Sequence, residues 1–326
     1  MYKRQAQIGL FQVPSGVLGT TQSSSETEDG ATRLLTQLKH QFDVVGAESD
    51  FSAYELLILP DSIGVDEPLA ARLREYLQRG GKLLASGLSG LNADGTEAVL
   101  PELGIAAEGF SPFLATYIRF GESIAQGVPP SDHIMYERGV RVRPAESVET
   151  LAAVVEPYFD RAWNHFCSHA QTPGDKVSEF PAALQNGNAA YIAFPIFQAF
   201  ARHGNYPYRL LVQKILERLL PEPLLRVDGP TGLEATIARQ ETQKRTIVHL
   251  LYYSAERRTP ELDIVEEVIP LFNVPISLQS ERAPSGVRLV PEGAPLEFSW
   301  QQGRVSFTVP EVRGHAMIEI SDENAQ

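Results

Sequence analysis

Only one cysteine, Cys167, occurs among the 326 residues. An intrachain disulfide and a cysteine-only metal site are therefore both excluded. Basic residues are few as well: 28 Lys and Arg stand against 41 Asp and Glu, a formal charge of −13. Nucleic-acid binding needs clustered Lys and Arg facing phosphates, and no basic stripe occurs, so no nucleic-acid partner is expected. No apolar run approaches the roughly 18 residues of a membrane span. Met1-Tyr2-Lys3-Arg4 leads into Gln5-Ala6-Gln7 rather than into an apolar signal segment. A cytoplasmic protein with no membrane partner is the expectation. The chain enters its first strand almost at once, which raises the further expectation of a segment upstream. Phosphate-binding glycine motifs are missing too. The first loop, Phe11–Gly19, holds Gly16 and Gly19 but neither Gly-x-Gly-x-x-Gly nor Gly-Lys-Ser/Thr, so no nucleotide or other cofactor is expected.

What is present is the composition of an ordinary soluble globular protein, 43% hydrophobic and 21% charged. The length gives room for two domains, each with its own core. The chain is organised around residues 51–90. Glu55-Leu56-Leu57-Ile58-Leu59 and Lys82-Leu83-Leu84-Ala85-Ser86 are short, mostly apolar runs, suited to strands covered on both faces of a parallel sheet. Between them Leu69, Leu73, Tyr76 and Leu77 share one side of a 3.6-residue period. Asp66 is placed to cap this helix, Pro68 fits its first turn, and Gly80-Gly81 permits a left-handed exit.

Ahead of this unit, Ala6–Phe11 and Phe42–Val45 read as strands. Ser25 and Glu28 have the spacing of a helix-capping pair, with Ala31, Leu34, Leu35 and Leu38 on the buried face. The strand and helix alternation through residue 90 is that of an open, doubly wound α/β sheet. Residues 91–116 read as loops and short helices. Tyr117–Phe120, Val140–Arg143 and Val148–Val155 read as shorter strands, and a polar segment, Asp160–Gly187, interrupts the domain. A buried strand at Ala190–Pro195 and a helix carrying Tyr208, Leu211, Val212, Ile215 and Leu219 then close it. Beyond Pro221 and Pro223 the period changes to two. Leu233–Arg239, Thr246–Tyr253, Ile276–Gln279, Val287–Val290, Leu296–Trp300, Val305–Val309 and Ala316–Ile320 alternate apolar with polar residues, with turns such as Asp228-Gly229-Pro230 among them. That is the pattern of a β-sandwich of roughly 100 residues. The expected domains are 1–222 and 223–326.

Reactive groups are sparse. The elbow after the second apolar strand reads Gly87-Leu88-Ser89-Gly90, whereas a strained nucleophile elbow needs Gly-x-Ser-x-Gly. Ser86 and Ser89 are therefore weak candidates, and a plain strand-end turn is the better reading. His165-Phe166-Cys167-Ser168-His169 is the densest chemical cluster. In an extended conformation His165, Cys167 and His169 share a face, and imidazole with thiolate suits zinc. Three ligands on one strand rarely suffice, however. Asp160 and Asp175 would have to be brought in by folding, and no metal is expected. Cys167 is also a weak nucleophile candidate without an orienting third group. Trp163 with Tyr158 and Phe159, Tyr206 with Tyr208, and Trp300 are candidate aromatic platforms for a sugar, packing being the more ordinary use of such residues. His249 lies in an alternating strand and reads as a core or face histidine. No pair of carboxylates has the spacing that singles out glycoside hydrolysis.

Two stretches carry a resemblance. Tyr54–Pro60, then Leu73–Gly81 with Lys82–Gly87, resembles the trimerisation-type middle domain of family 42 β-galactosidases, a flavodoxin-like domain similar to class I glutamine amidotransferases. The amidotransferase nucleophile is a cysteine at the elbow. Ser86–Ser89 stands there instead, and Cys167 is far along the chain, so the resemblance implies a scaffold without that chemistry. Tyr158–Pro173, and Val227–Pro230 leading to Ile247–Leu251, resemble bacterial α-L-fucosidases. In that family the catalytic carboxylates belong to a (β/α)8 barrel that this sequence does not encode, so no catalytic residue is carried over. The resemblance implies the non-catalytic C-terminal part of a glycoside hydrolase, or a free-standing relative. It would self-associate as a dimer or trimer, or join a glycosidase barrel and wall its active site. A carbohydrate-binding module, with His165, Cys167, His169 and Trp163 as binding candidates, and a residual hydrolase using Ser86, Ser89 or Cys167 are the alternatives.

Overall fold

A computed structural model describes residues 2–4, 6–12, 21–169, 171–259 and 261–322. Two compact units result. One comprises Ile8–Leu34 and Asp43–Pro221; the other comprises Met1–Gln7, Leu35–Phe42 and Glu222–Gln326. An α/β architecture gives way to a β-rich one, as the change of period from 3.6 to two implies.

The first unit is built on a nine-stranded sheet. Its order is Phe42–Val45, Ile8–Phe11, Leu56–Leu59, Lys82–Ser86, Ala189–Ile192, Gly174–Asn186, Glu149–Pro157, Thr116–Phe120 and His133–Met135. Ile8–Phe11, Leu56–Leu59, Lys82–Ser86 and Ala189–Ile192 pair in parallel, and their apolar runs are buried as doubly covered strands must be. Beyond Ala189–Ile192, the strands Gly174–Asn186, Glu149–Pro157, Thr116–Phe120 and His133–Met135 extend the sheet antiparallel.

Helix α1 spans Thr21–Gln37, beginning a turn earlier than the Ser25 cap expected from sequence. Helix α2 spans Glu67–Gln78, and the Asp66 carboxylate accepts the Leu69 amide at 2.9 Å. Leu69, Ala70, Leu73 and Tyr76 form its buried side. Two more helices follow the last parallel strand, α3 (Ile196–His203) and α4 (Tyr206–Leu219), separated by Gly204.

One expectation is corrected. The stretch Asp160–Gly187 is not simply a polar interruption, because Gly174–Asn186 is a 13-residue strand inside the main sheet. Its first half is solvent-facing, and it is Phe180–Leu184 that are buried. Strands half in and half out of a core carry only a diluted apolar signal.

The second unit is a sandwich. A five-stranded sheet runs Tyr2–Arg4, Leu233–Gln240, Arg245–Tyr252, Gly314–Ser321, Gly286–Val290. A four-stranded sheet runs Leu225–Val227, Leu271–Gln279, Arg304–Val312, Phe298–Gln301. One core joins them: Leu233, Ile237, Val248, Leu250 and Ile318 from the first, Val274, Ile276, Val305, Phe307 and Val309 from the second. Period-two alternation places these side chains inward and their neighbours outward. Along the Leu233–Gln240 strand, Tyr2–Arg4 pairs with Ala238–Gln240. The Gln41 side chain continues that edge: its amide donates to the Ala235 carbonyl at 2.8 Å and accepts from the Ile237 amide at 3.1 Å. An otherwise open strand edge is thus closed by a side chain acting as a short strand. The described residues contain no helix long and apolar enough to cross a membrane.

Candidate functional site

In an open α/β sheet ligands are held where strand order reverses, beyond the carboxyl ends of the strands. Here the chain goes from Ile8–Phe11 outward to Phe42–Val45 and returns to the other side at Leu56–Leu59. The loop after Ile8–Phe11, with Gly16 and Gly19, lies outside the described residues. On the returning side, Pro60 ends the strand Leu56–Leu59, and Asp61 follows with φ of 52°, a conformation that Asp and Asn tolerate better than most residues.

Asp61 is only 3% exposed, yet it is densely bonded. Its carboxylate accepts the Ser86 hydroxyl at 2.7 Å, the Gln198 amide at 2.7 Å, the Phe197 amide at 3.3 Å and the Thr27 hydroxyl at 3.4 Å. Two of these donors are first-turn amides of α3, which otherwise lack partners and carry the positive end of the helix dipole. Burial dominates the electrostatics and raises the Asp61 pKa to about 6, with the bonds from Gln198, Ser86, Phe197 and Thr27 working in the opposite direction.

Sequence reading missed this residue as a functional centre. The available signal was an acidic side chain after the proline that ends a wholly apolar strand, at a strand end where the sheet order reverses.

The elbow candidates are drawn into the same arrangement. Ser86 and Ser89 are both 0% exposed. The Ser86 hydroxyl also accepts the Asp61 amide at 2.9 Å, and the Ser89 hydroxyl accepts the Ile63 amide at 2.9 Å. Gly87 has φ of 58°, and a Cβ there would lie 2.6 Å from the Asp61 carbonyl. The Leu88 amide bonds that same carbonyl at 2.6 Å, and the Tyr191 hydroxyl donates to the Gly87 carbonyl. A nucleophile must reach substrate, but these hydroxyls are held inside a strand-end turn and tie two loops and a helix together. Chemically the arrangement can fix structure; among the described residues neither buried hydroxyl faces an open position for a reacting atom.

The second place of interest is the hairpin from Tyr158 to Pro173. Its base is fastened by Tyr158 N to Pro173 O at 3.3 Å, Thr172 Oγ1 to Phe159 O at 2.7 Å, and Tyr117 Oη to Thr172 O at 2.5 Å. Asp160 accepts the Leu114 amide at 3.2 Å. Ala162 and His165 exchange backbone hydrogen bonds of 2.9 and 3.1 Å, which leaves Trp163 and Asn164 at the tip. The Trp163 side chain is 95% exposed. Below it the His165 ring stacks on Phe159 with centroids 4.2 Å apart, and the Arg161 guanidinium lies 5.1 Å from the centre of the Phe166 ring. Such stacking holds a loop in shape without a core beneath it.

The extended arrangement that would point His165, Cys167 and His169 to one face is not what forms. His165 is turned onto Phe159, Cys167 Sγ lies 3.2 Å from the His169 carbonyl, and the Ser168 hydroxyl lies 3.1 Å from His169 Nδ1. Among the described residues no three His, Cys, Asp or Glu side chains converge as metal ligands would. Of the other aromatic candidates, Tyr208 is buried and donates to the Ile134 carbonyl at 3.0 Å. Tyr206 is exposed beside Arg209, and Trp300 is part-exposed with its indole donating to the Ser280 carbonyl at 3.1 Å.

Fold and site together define an α/β scaffold with a closed switch point and one projecting aromatic hairpin, followed in sequence by a β-sandwich. Residues 33–105 match the family model described as the β-galactosidase trimerisation domain. The α-L-fucosidase isoenzyme 2 of Paenibacillus thiaminolyticus is similar over 99% of this chain, at 32% identity with a TM-score of 0.89, the match covering 49% of that protein. A GH42 β-galactosidase from G. stearothermophilus is similar over 98% of this chain at 16% identity with a TM-score of 0.60, and 40% of its own length is covered. For the β-galactosidase of Bacillus circulans sp. alkalophilus the values are 98%, 16% and 0.58, with 42% covered. No curated protein matches the sequence. The resemblance to the trimerisation-type domain and following β-rich part of these glycosidases therefore holds along the chain, which spans about half the length of the fucosidase or less of the others.

Proposed function

We propose that this chain is a non-catalytic assembly module of a glycoside hydrolase, which joins subunits and walls an active site supplied by a (β/α)8 barrel. The observation that carries the reading is the Tyr158–Pro173 hairpin. A tryptophan 95% exposed at the tip of a well-fastened loop is costly to leave in water and unusual without a partner. Tyr158 and Phe166 are exposed beside it. An indole face is also a suitable wall for a sugar ring, whose C–H face packs on aromatic carbon. The closed Asp61–Ser86 arrangement supports the same division of labour: α/β unit as support, chemistry elsewhere.

Light scattering after size exclusion tests assembly directly. The chain is expected to form dimers or trimers, or to bind a separately produced barrel of the α-L-fucosidase type. Trp163→Ala is expected to lower fucoside turnover by the barrel in that complex without changing the subunit number. A strict monomer that also fails to bind the barrel overturns the proposal.

A further inference from the structure

The outward face of the four-stranded sheet carries a line of small polar side chains that runs across the strands rather than along them. Strand register sets Arg226, Ser277, Ser306 and Ser299 side by side, one from each strand. One step along, Pro275 pairs with Thr308, and the Asp228 amide bonds the Pro275 carbonyl at 3.1 Å. The residues between them, Ile276, Leu278, Val305 and Phe307, are in the core, so alternation forces this line outward. Over it lies a groove of about 860 Å³, bounded on one side by Pro295 and Phe298.

The chemistry of the groove selects its ligand. No cation is in excess: Arg226 is paired with Glu222 at 3.1 Å, and Asp228 and Glu297 line the groove as acids. That suits neither a phosphate nor a polyanion, which need an excess of cations. Among the described residues the side chains of Asn273, Ser299 and Thr308 hold no hydrogen bond, and all three are exposed. Hydroxyl and amide groups of this kind donate and accept equally well, as a polyol requires. Strand spacing sets Ser277, Ser306 and Ser299 at steps of ~4.8 Å across the sheet, close to the advance per residue of an extended glycan, with Thr308 and Asn273 further along their strands. The rings of Pro275 and Pro310 and the edge of Phe298 line the same groove and can meet the apolar C–H faces of sugar rings.

We propose that this face binds a neutral oligosaccharide laid across the four strands. The site is separate from the Trp163 hairpin and does not depend on the assembly reading.

Calorimetry on the full 326-residue chain tests it, with linear galactotetraose and linear xylohexaose as neutral probes and tetragalacturonate as the anionic one. Saturable binding of at least one neutral probe is expected, with none of the anionic probe. Ser306→Trp, which fills the groove, and the surface double variant Ser299→Ala with Thr308→Ala are each expected to weaken binding by about tenfold or more. Trp163→Ala is expected to leave it unchanged. Melting curves check that the variants fold; should Ser306→Trp fail, the double variant decides. The proposal is overturned if neither neutral probe binds at millimolar concentration, if tetragalacturonate binds as well as they do, if the double variant binds like the parent, or if Trp163→Ala abolishes binding. Light scattering reads the assembly proposal independently of all these outcomes.

Discussion

The Ser86 hydroxyl donates to the Asp61 carboxylate at 2.7 Å and in return accepts the Asp61 backbone amide at 2.9 Å. Two adjacent strand ends are thereby locked to each other, and the same carboxylate holds the first amides of α3. Asp61 is thus the fastening point of the parallel half of the sheet, in the place where related architectures keep their ligands.

The folded Asp61 carboxyl has its pKa raised by burial from 3.8 to about 6. It binds its proton more tightly than the unfolded chain does, so its contribution to stability is full below the ordinary Asp range and is lost as pH rises through about 6. The change is on the order of 3 kcal/mol. Asp61→Asn keeps an acceptor and a residue tolerant of positive φ but does not titrate. The stability difference between parent and Asp61→Asn, measured by urea unfolding, should therefore favour the parent more at pH 5 than at pH 7. Asp61→Ala leaves the α3 amides and Ser86 unpaired and should cost on the order of 3 kcal/mol at pH 7, and more at pH 5, where the parent alone gains from the raised carboxyl pKa. A difference independent of pH would contradict this account of the buried carboxyl.

Gly30 sits where α1 meets α3. A Cβ there would lie 1.9 Å from the Phe197 carbonyl oxygen, and that oxygen belongs to backbone that Asp61 holds in place. Gly30→Ala would gain about 1 kcal/mol of helix propensity in isolation, but overpacking against a fixed carbonyl outweighs it. A net loss of about 3 kcal/mol is expected. Gly46→Ala, with nothing within 4 Å of the added carbon, serves as control and should stay within about 0.5 kcal/mol. Equal melting temperatures for the two variants would show that the helices can separate.

On the sandwich, Glu319 is 2% exposed although it is on the outer face. Burial works to raise its pKa, but bonds from Ser321, Arg288 and Arg245 prevail and hold it below the usual Glu range. The distances are 2.9, 2.6 and 2.5 Å. A depressed carboxylate contributes stability that is present above its unfolded pKa and lost as pH falls through the acid range. Glu319→Gln should cost roughly 2 kcal/mol, less than the full penalty of a broken buried pair because both arginines reach solvent. The stability gap between parent and Glu319→Gln should narrow as pH falls through the acid range, because only the parent loses this contribution on protonation. A gap in urea-unfolding stability that stays constant from neutral to acid pH would contradict the assignment.

Much of the scaffold was legible because the signals were local. Asp66, Pro68 and the apolar period specify α2 whatever surrounds it, and alternation specifies Leu233–Gln240. Gly174–Asn186 was not legible, because its pattern of burial changes halfway along and the cause is the neighbouring strands. Asp61 escaped for a related reason: its role is fixed by Ser86, Thr27 and Gln198, partners as far as 137 positions away, and no spacing records them. His165 and Cys167 were noticed for their chemistry, yet their directions depend on a stack with Phe159 and on turn carbonyls. The composition of that hairpin could be read, but not its geometry.

His249 and His315 form a further titratable pair, with parallel rings and His249 Nδ1 3.2 Å from His315 Nε2. One ring must donate to the other, which requires that at least one be neutral. Burial, and then the neighbouring His315, hold the His249 pKa below its ordinary 6.5. The unfolded chain consequently takes up a proton that the folded strand resists, and stability should fall as pH drops through 6.5 and below. Both rings reach water, so the loss stays under about 1 kcal/mol. His315→Gln removes the neighbouring charge and leaves only burial acting on His249. Ring-proton NMR titration should then place His249 higher than in the parent, with a shallower decline in stability between pH 7 and pH 5. A His249 midpoint that does not move in His315→Gln would mean that the two imidazoles do not share a proton in solution.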